Sequence, residues 1–467
     1  MIKTDDTALR TVFLLLIIAG MTFLGGLFIT KVSIGTAFFT IAVLIISVAS
    51  FLNAEVALYV LIISMLLSPE FIVGGLGGGV VTGARGITLR FDDILLVVIG
   101  FSWFLKTAIK KDLGLFLRTP LNRPIASYFV ICLIATLFGF MMGRINGLTG
   151  FFFVLKYFEY FIVYFMVVNQ LRDKRQMERF IMVMLIVSFI VCLLSISQIP
   201  AGGRVTAPFE GVEGEPNTLG GYLVLMLSIT LGLLLTYGSK KQKWLFAALA
   251  VLIVVSLMAT LSRSSWLAVG PMLLALIYFS KRKMVIIVPL IVISLLLPFL
   301  LPSGLGVKER ALFTFTQPEE RGQIKIGGLK IDTSTSARLT SWKNVLTRDF
   351  IKHPILGYGV TGYQFLDAQY PKVLVETGLL GLVSFMWLLT AVFKNALYAY
   401  RNTSDPLFSG LSLGYLAGFI AMLVHAIGAN TFIIVRIMEP FWFLTAIIIM
   451  IPMIEAGEVK ADMPVKS

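Results

Sequence analysis

Uninterrupted apolar runs of roughly twenty residues recur along this chain, and nothing else in it constrains the fold as strongly. A run of that length crosses the hydrocarbon of a bilayer as a helix, because a helix satisfies its own backbone N–H and C=O groups. A membrane β-barrel would show shorter, alternating segments instead. About fourteen runs are read: 11–30, 34–52, 56–69, 93–109, 125–143, 151–170, 180–199, 218–237, 244–261, 265–279, 284–301, 373–393, 407–428 and 431–453. The third is short for a span, and only a tight turn separates 244–261 from 265–279. Composition agrees. Charged residues are 14% of the chain, against about 25% in soluble domains, and mean hydropathy is +0.92.

The expected fold class is therefore all-α, a polytopic transmembrane helical bundle of about 12–14 spans with one long outer loop carrying amphipathic helices. The expected organisation is a transmembrane bundle over 1–301, a periplasmic loop over 302–372, C-terminal spans over 373–453 and a cytoplasmic tail over 454–467. No small-residue cleavage site follows the first run, which reads as a span rather than a signal peptide. Cys132 and Cys192 lie inside apolar runs without a CxxC or a nearby histidine, so they read as buried thiols.

The net charge of +14 invites a nucleic-acid reading, but the placement of the charge speaks against one. With the N-terminus inside, the cytoplasmic segments hold Lys106, Lys110, Lys111, Arg118 and Arg123, then Arg172, Lys174, Arg175 and Arg179. Lys240, Lys241, Lys243, Lys281, Arg282 and Lys283 follow in two further short loops. Such loops orient spans by the positive-inside rule. The long outer segment departs from that pattern. It carries Lys308, Arg310, Arg321, Lys325, Lys330, Arg338, Lys343, Arg348, Lys352 and Lys372, which do nothing for orientation. Attraction of an anionic, membrane-attached substrate is the functional reading; a solvated surface is the plainer one. Within it, Thr333–Phe350 reads as an amphipathic helix capped by Ser334 or Thr335, with Leu339, Trp342, Val345 and Leu346 as its apolar stripe. His353-Pro354 and the glycines after it end that helix, which suits the membrane surface.

Soluble-enzyme signatures are absent: there is no P-loop, no HExxH and no nucleophile elbow. The glycine run 74–79 lacks the following Lys-Ser/Thr and reads as a loop. Charges at the mouths of spans are more telling, since they are costly in lipid. Arg263 lies between two tightly joined spans, Lys156 and Glu159 are three apart on one helix, and Arg436 and Glu439 repeat that spacing on the last. Snorkelling and structural ion pairing are the plainer readings. Together they offer fixed cations to a diphosphate leaving group, which guanidinium binds in a planar fork. With only His353 and His425 present, no metal-ligand cluster is visible, and no metal or other cofactor is expected.

Several stretches in order resemble the O-antigen ligase and O-antigen polymerase superfamily of bacterial envelope glycosyltransferases. They are PFEGVEGEPNTLGGYL (208–223), LSRSSWLAV (261–269), ARLTSWKNVLTRDFIKHPILGYGVTGY (337–363) and DAQYPKVLVETGLLGLVSF (367–385). The resemblance implies that Arg263 and Arg338 hold a lipid-linked diphosphate. Ligases of the family carry a His-Asn or His-Ser pair eleven residues before the first glycine of a GxxG; here that place is Asp367, followed by Ala368. The departure favours a polymerase-type member and makes Asp367 the candidate general base for an acceptor hydroxyl, with a helix N-cap as the plainer reading. Asn217 and Glu215 are candidates for contact with sugar hydroxyls, and His425 for the substrate site or a structural role. The implied substrate is an undecaprenyl-diphosphate-linked oligosaccharide, with membrane lipids and a chain-length regulator as further partners and no nucleic acid. A ligase with a lipid or protein acceptor, and a flippase or exporter of lipid-linked sugars, stay open at this point.

Overall fold

A computed structural model describes residues 48–49, 53–73, 87–90, 92–97, 99–101, 117–145, 147–210, 214–284, 323, 325–326, 329–330 and 332–457. The expected span 11–30, all of 34–52 but residues 48–49, residues 98 and 102–109 of the span 93–109, residues 285–301, the glycine run 74–79, residues 302–322 of the outer loop and 458–467 of the tail lie outside them. The chain divides into two compact units, 1–60 and 61–467. Asn53 precedes helix α1 (Ala54–Leu67), its Oδ1 accepting from the Glu55 amide at 2.9 Å.

The second unit is the helical bundle that the apolar runs imply. Its elements are β1 (Glu70–Val73), β2 (Ile87–Arg90), α2 (Asn122–Met141), α3 (Gly147–Gln170), α4 (Lys174–Ile196), α5 (Pro216–Thr236), α6 (Lys240–Ala259) and α7 (Arg263–Phe279). There follow β3 (Lys325–Ile326), β4 (Leu329–Lys330), α8 (Thr333–Asn344), α9 (Gln369–Asn402), α10 (Pro406–Gly428) and α11 (Val435–Glu455). Among the described residues eight helices, α2 to α6 and α9 to α11, are long and apolar enough to cross a membrane; α1 and α7 are shorter apolar helices. The strands form two short antiparallel ladders, with Glu70 opposite Arg90 and Lys325 opposite Lys330.

Local chemistry sets the helix starts. Asp173, Ser239, Ser262, Asp332 and Asp405 each accept a hydrogen bond from an amide of the following turn. Ser239 and Gln242 form a reciprocal capping box, and Pro216 and Pro406 occupy first-turn positions that lack a helical N–H partner. The sequence expectation for α8 is corrected here: Asp332, not Ser334 or Thr335, is the cap. Its apolar stripe also splits, since Val345 is buried while Leu339 and Leu346 are exposed.

Helices α5, α10 and α11 are buried nearly all round, and α2 and α6 expose much of their apolar surface as lipid-facing helices do. The α5–α10 contact is made by small residues. Gly410, Gly414 and Gly418 recur every fourth residue on α10, and a Cβ on Gly414 would lie 2.5 Å from Ser228 O of α5. In lipid, where neither helix gains by leaving water, such close backbone approach supplies the packing energy.

Alternating helix directions send the interhelical segments to two ends. One end gathers the short basic loops: Lys174 pairs with Asp405, and Arg282 donates to Leu235 O at 2.9 Å. The other gathers 197–210, 214–215, 260–262, 332–368 and 429–434, which hold all or part of each of the four family-like stretches.

Candidate functional site

At that second end the backbone itself is strained. Phe209 (φ 60°), Leu261 (φ 51°) and Thr361 (φ 67°) are the left-handed non-glycine residues among those described. Such positions cost about 1–3 kcal/mol each and collect at functional sites. Each lies in a different one of the family-like stretches.

The segment Ser262-Arg263-Ser264-Ser265 opens α7. Ser262 Oγ donates to Asn217 Oδ1 at 2.7 Å, and Ser264 Oγ does so at 3.3 Å. Ser262 Oγ also meets Ser265 Oγ at 2.8 Å, which meets His425 Nε2 at 3.0 Å; His425 Nδ1 meets Thr431 Oγ1 at 2.7 Å. This buried polar chain crosses α5, α7, α10 and the loop beyond it. It leaves both ring nitrogens of His425 engaged and makes Asn217 a strut for the turn that carries Arg263, not a cap of its own helix, where Glu215 is the N-cap residue. Glu215 is held through its amide, which donates to Glu210 Oε2 at 3.0 Å.

Arg263 leaves that turn and grips Asp332 with both terminal nitrogens, Nη1 to Oδ1 at 2.9 Å and Nη2 to Oδ2 at 2.6 Å. Burial drives the Asp332 carboxyl up, but the Arg263 hydrogen bonds and those from Thr335 outweigh it and hold the group below the usual carboxylate range. Two residues beyond Asp332, Ser334 Oγ accepts from Arg263 Nη2 at 3.5 Å and from Arg338 Nη1 at 3.2 Å. Arg338 Nη2 donates to Asp367 Oδ2 at 2.6 Å, while its buried Nε has no partner. Arg263, Arg338 and Asp367 are thus brought together, with Ser334 between the two guanidinium groups.

Asp367 is not the cap of α9; that residue is Ala368, without a side-chain bond. Its place is fixed by its neighbours. Asn430 Nδ2 donates to Leu366 O at 2.6 Å, and the Phe432 amide donates to Gln369 Oε1 at 2.9 Å. Two turns on, α9 breaks at Gly378 (φ 67°). The break strands the carbonyls of Val375 and Glu376 and the amides of Leu379 and Leu380, and the glycine-rich segment satisfies all four. Tyr358 N donates to Val375 O (2.9 Å) and Gly359 N to Glu376 O (2.7 Å), while Leu379 N reaches Pro354 O (2.8 Å) and Leu380 N reaches Ile355 O (3.3 Å). The Glu376 carboxylate accepts from Thr361 N at 3.2 Å and pairs with Lys372 at 3.4 Å. The HP-x-x-G-x-G and ETG stretches are therefore two halves of one clasp, joined by these four backbone bonds. A π-helical turn at Val345–Asp349 joins α8 to this clasp. There Arg348 and then Tyr363 hydrogen-bond the Asp349 carboxyl and hold it below its ordinary range.

The remaining predicted residues lie elsewhere. Lys156 pairs with Asp93 and, at 3.2 Å, with Glu159. Arg90 Nη2 stands 2.8 Å from Asp92, 3.5 Å from Asp93 and 3.8 Å from Glu439. This is a second, buried charge cluster. Arg436 donates to the carbonyls of Leu66 (2.9 Å), Pro208 (3.0 Å) and Ser68 (3.1 Å), so it staples three segments together. Sequence reasoning passed over Asp332 and the acidic members Asp92 and Asp93. An acidic residue just before a helix, and a charge run beside an apolar one, are the signals that could have found them.

A family model described as O-antigen ligase matches residues 248–386. The matched stretch contains Arg263, Asp332, Ser334, Arg338, Asp367 and the clasp. It supports the O-antigen ligase and polymerase superfamily, and with it a glycosyl-transferring membrane enzyme that uses lipid-linked oligosaccharide. No curated protein matches the chain.

Proposed function

We propose that this protein polymerises undecaprenyl-diphosphate-linked oligosaccharide repeat units, of O-antigen or exopolysaccharide, at the periplasmic face of the inner membrane. One observation carries the reading: two arginines on separate elements converge on a single hydroxyl, Ser334, and one of them also holds the Asp367 carboxylate. In transfer, the bond from the anomeric carbon to the donor's phosphate oxygen breaks and its electron pair leaves with the diphosphate. The acceptor hydroxyl oxygen forms the new bond to that carbon, and its proton passes to Asp367. Arg263 and Arg338 take up the charge of the leaving diphosphate, which fixed guanidinium groups do without reorganising. Because Arg338 starts out paired with Asp367, the incoming diphosphate competes for the guanidinium and frees the carboxylate when the substrate is in place. Asp332 keeps Arg263 aimed, and Asn217 and His425 brace the turn beneath it. The basic loops at the opposite end of the bundle support the outward placing of the site.

The matched family model bears the name of a ligase, which favours a second reading: transfer of the glycan to a different lipid or protein acceptor by the same residues. Supplying the lipid-linked unit alone separates them, since growing chains require the polymerase reaction. Arg263→Ala and Arg338→Ala are each expected to cut polymer formation by roughly 100-fold or more, as loss of a charge-stabilising donor does, with protein levels intact by immunoblot. Wild-type polymer length in both variants would contradict the assignment.

A further inference from the structure

Phe209 combines two features that structural needs alone do not call for. Its backbone is left-handed (φ 60°), a conformation disfavoured for a bulky L-residue, and the residue is 55% exposed. The described residues around it are held by several hydrogen bonds. Val205 N donates to Ala259 O and Arg204 Nε to Thr260 O, each at 3.2 Å, and Gln198 brackets Thr206 with two bonds, at 3.1 and 3.2 Å. Buried Arg436 holds Pro208 O at 3.0 Å, and Glu210 Oε2 accepts from the amides of Ala207 (3.3 Å) and Glu215 (3.0 Å). At its far end Asn217 takes the hydroxyls of Ser262 and Ser264. Both ends of the loop are thus bonded to the segment that carries Arg263.

Strain that persists under this much restraint, for an apolar ring left out of the core, is characteristic of a binding feature. A pyranose ring presents a face of C–H groups, and the electron-rich face of an aromatic ring is its natural partner. From this we infer that Phe209 is a stacking platform for a pyranose of the glycan whose diphosphate is held at Arg263 and Arg338. This rests on the function proposed above and adds to it a sugar-binding residue outside the matched stretch 248–386.

The test uses the full-length, detergent-purified chain and a lipid-diphosphate-linked oligosaccharide built of pyranoses, with Phe209→Trp, Phe209→Leu and Phe209→Gly. Trp keeps the aromatic face, Leu keeps apolar bulk for contact with lipid, and Gly removes the strain together with the ring. The expected result is a wild-type KM for Phe209→Trp and a KM for the oligosaccharide raised about tenfold in the Leu and Gly variants, with kcat within about twofold. The Gly variant is expected to unfold no earlier than wild type on heating, so that its loss is one of binding and not of folding. A Leu or Gly variant with wild-type KM overturns the stacking role and leaves the proposed function standing. A wild-type protein that extends no oligosaccharide at all overturns the proposed function and this inference with it.

Discussion

Arg263 and Arg338 are each ion-paired, and the two pairs differ in geometry and exposure. The Arg263–Asp332 pair is bidentate, and its carboxylate is 1% exposed and also caps α8. The Arg338–Asp367 pair uses one nitrogen and is about one-quarter exposed on both sides. On the function proposed above, the first pair stays while the second exchanges partners. Since the folded Asp332 carboxyl lies below its unfolded value of about 3.9, its pair stabilises the fold above roughly pH 4, and that contribution is lost as pH falls through the folded pKa. Asp332→Asn is therefore expected to lower the melting temperature at pH 7 by several degrees, and the gap to wild type is expected to close on acidification below about pH 4. Thermal scans from pH 3 to 8 check this; a gap of constant size over that range would show that the pair is not the source. At this scale the sequence was partly legible. Arg263, Arg338 and Asp367 are found through motifs in order, but the pairing of Arg263 with Asp332 spans 69 residues of chain, and no local pattern encodes it.

The helices follow from the apolar runs, because each run must satisfy its own backbone in lipid. The break in α9 is different. Gly378 reads as an ordinary helix glycine in ETGLLGL, yet it is left-handed, and a Cβ there would lie 2.2 Å from Ile355 O. Gly357 is its counterpart in the other half of the clasp, with φ 67° and Val375 O 2.5 Å from an added Cβ. Gly378→Ala is expected to destabilise the fold by about 2 kcal/mol or more through strain and steric overlap and to abolish transfer, since the clasp sets the register of α9 behind Asp367. Gly414→Leu on α10 is expected to prevent accumulation of folded protein, because the α5–α10 contact leaves no room for a side chain. Fluorescence-detected size-exclusion chromatography distinguishes the two outcomes: a monodisperse but inactive Gly378 variant against an aggregated Gly414 variant. The spacing GxxxGxxxG was present in the sequence, but a glycine every fourth residue says which face is close-packed without saying which helix it meets.

For the molecule as a whole, the two ends of the bundle carry different chemistry. One holds short basic loops, and the other holds the strained residues, the clasp and the arginine pair. Hydropathy and charge made the bundle and this asymmetry legible. They singled out Lys156, Glu159 and Glu439 but not Arg90, Asp92 and Asp93, and did not show that the six form one buried cluster, because its members come from three distant segments and only packing brings them together. On the function proposed above, all the driving force comes from the diphosphate bond that breaks. The most direct measurement is therefore reconstitution of the purified full-length protein with a lipid-diphosphate-linked oligosaccharide, without nucleotide or ion gradient, and resolution of the products by size. The predicted result is a ladder of lengthening glycans from wild type and unextended substrate from Arg338→Ala and Asp367→Asn. A ladder from both variants, or substrate moved across the bilayer without any new glycosidic bond, would contradict it.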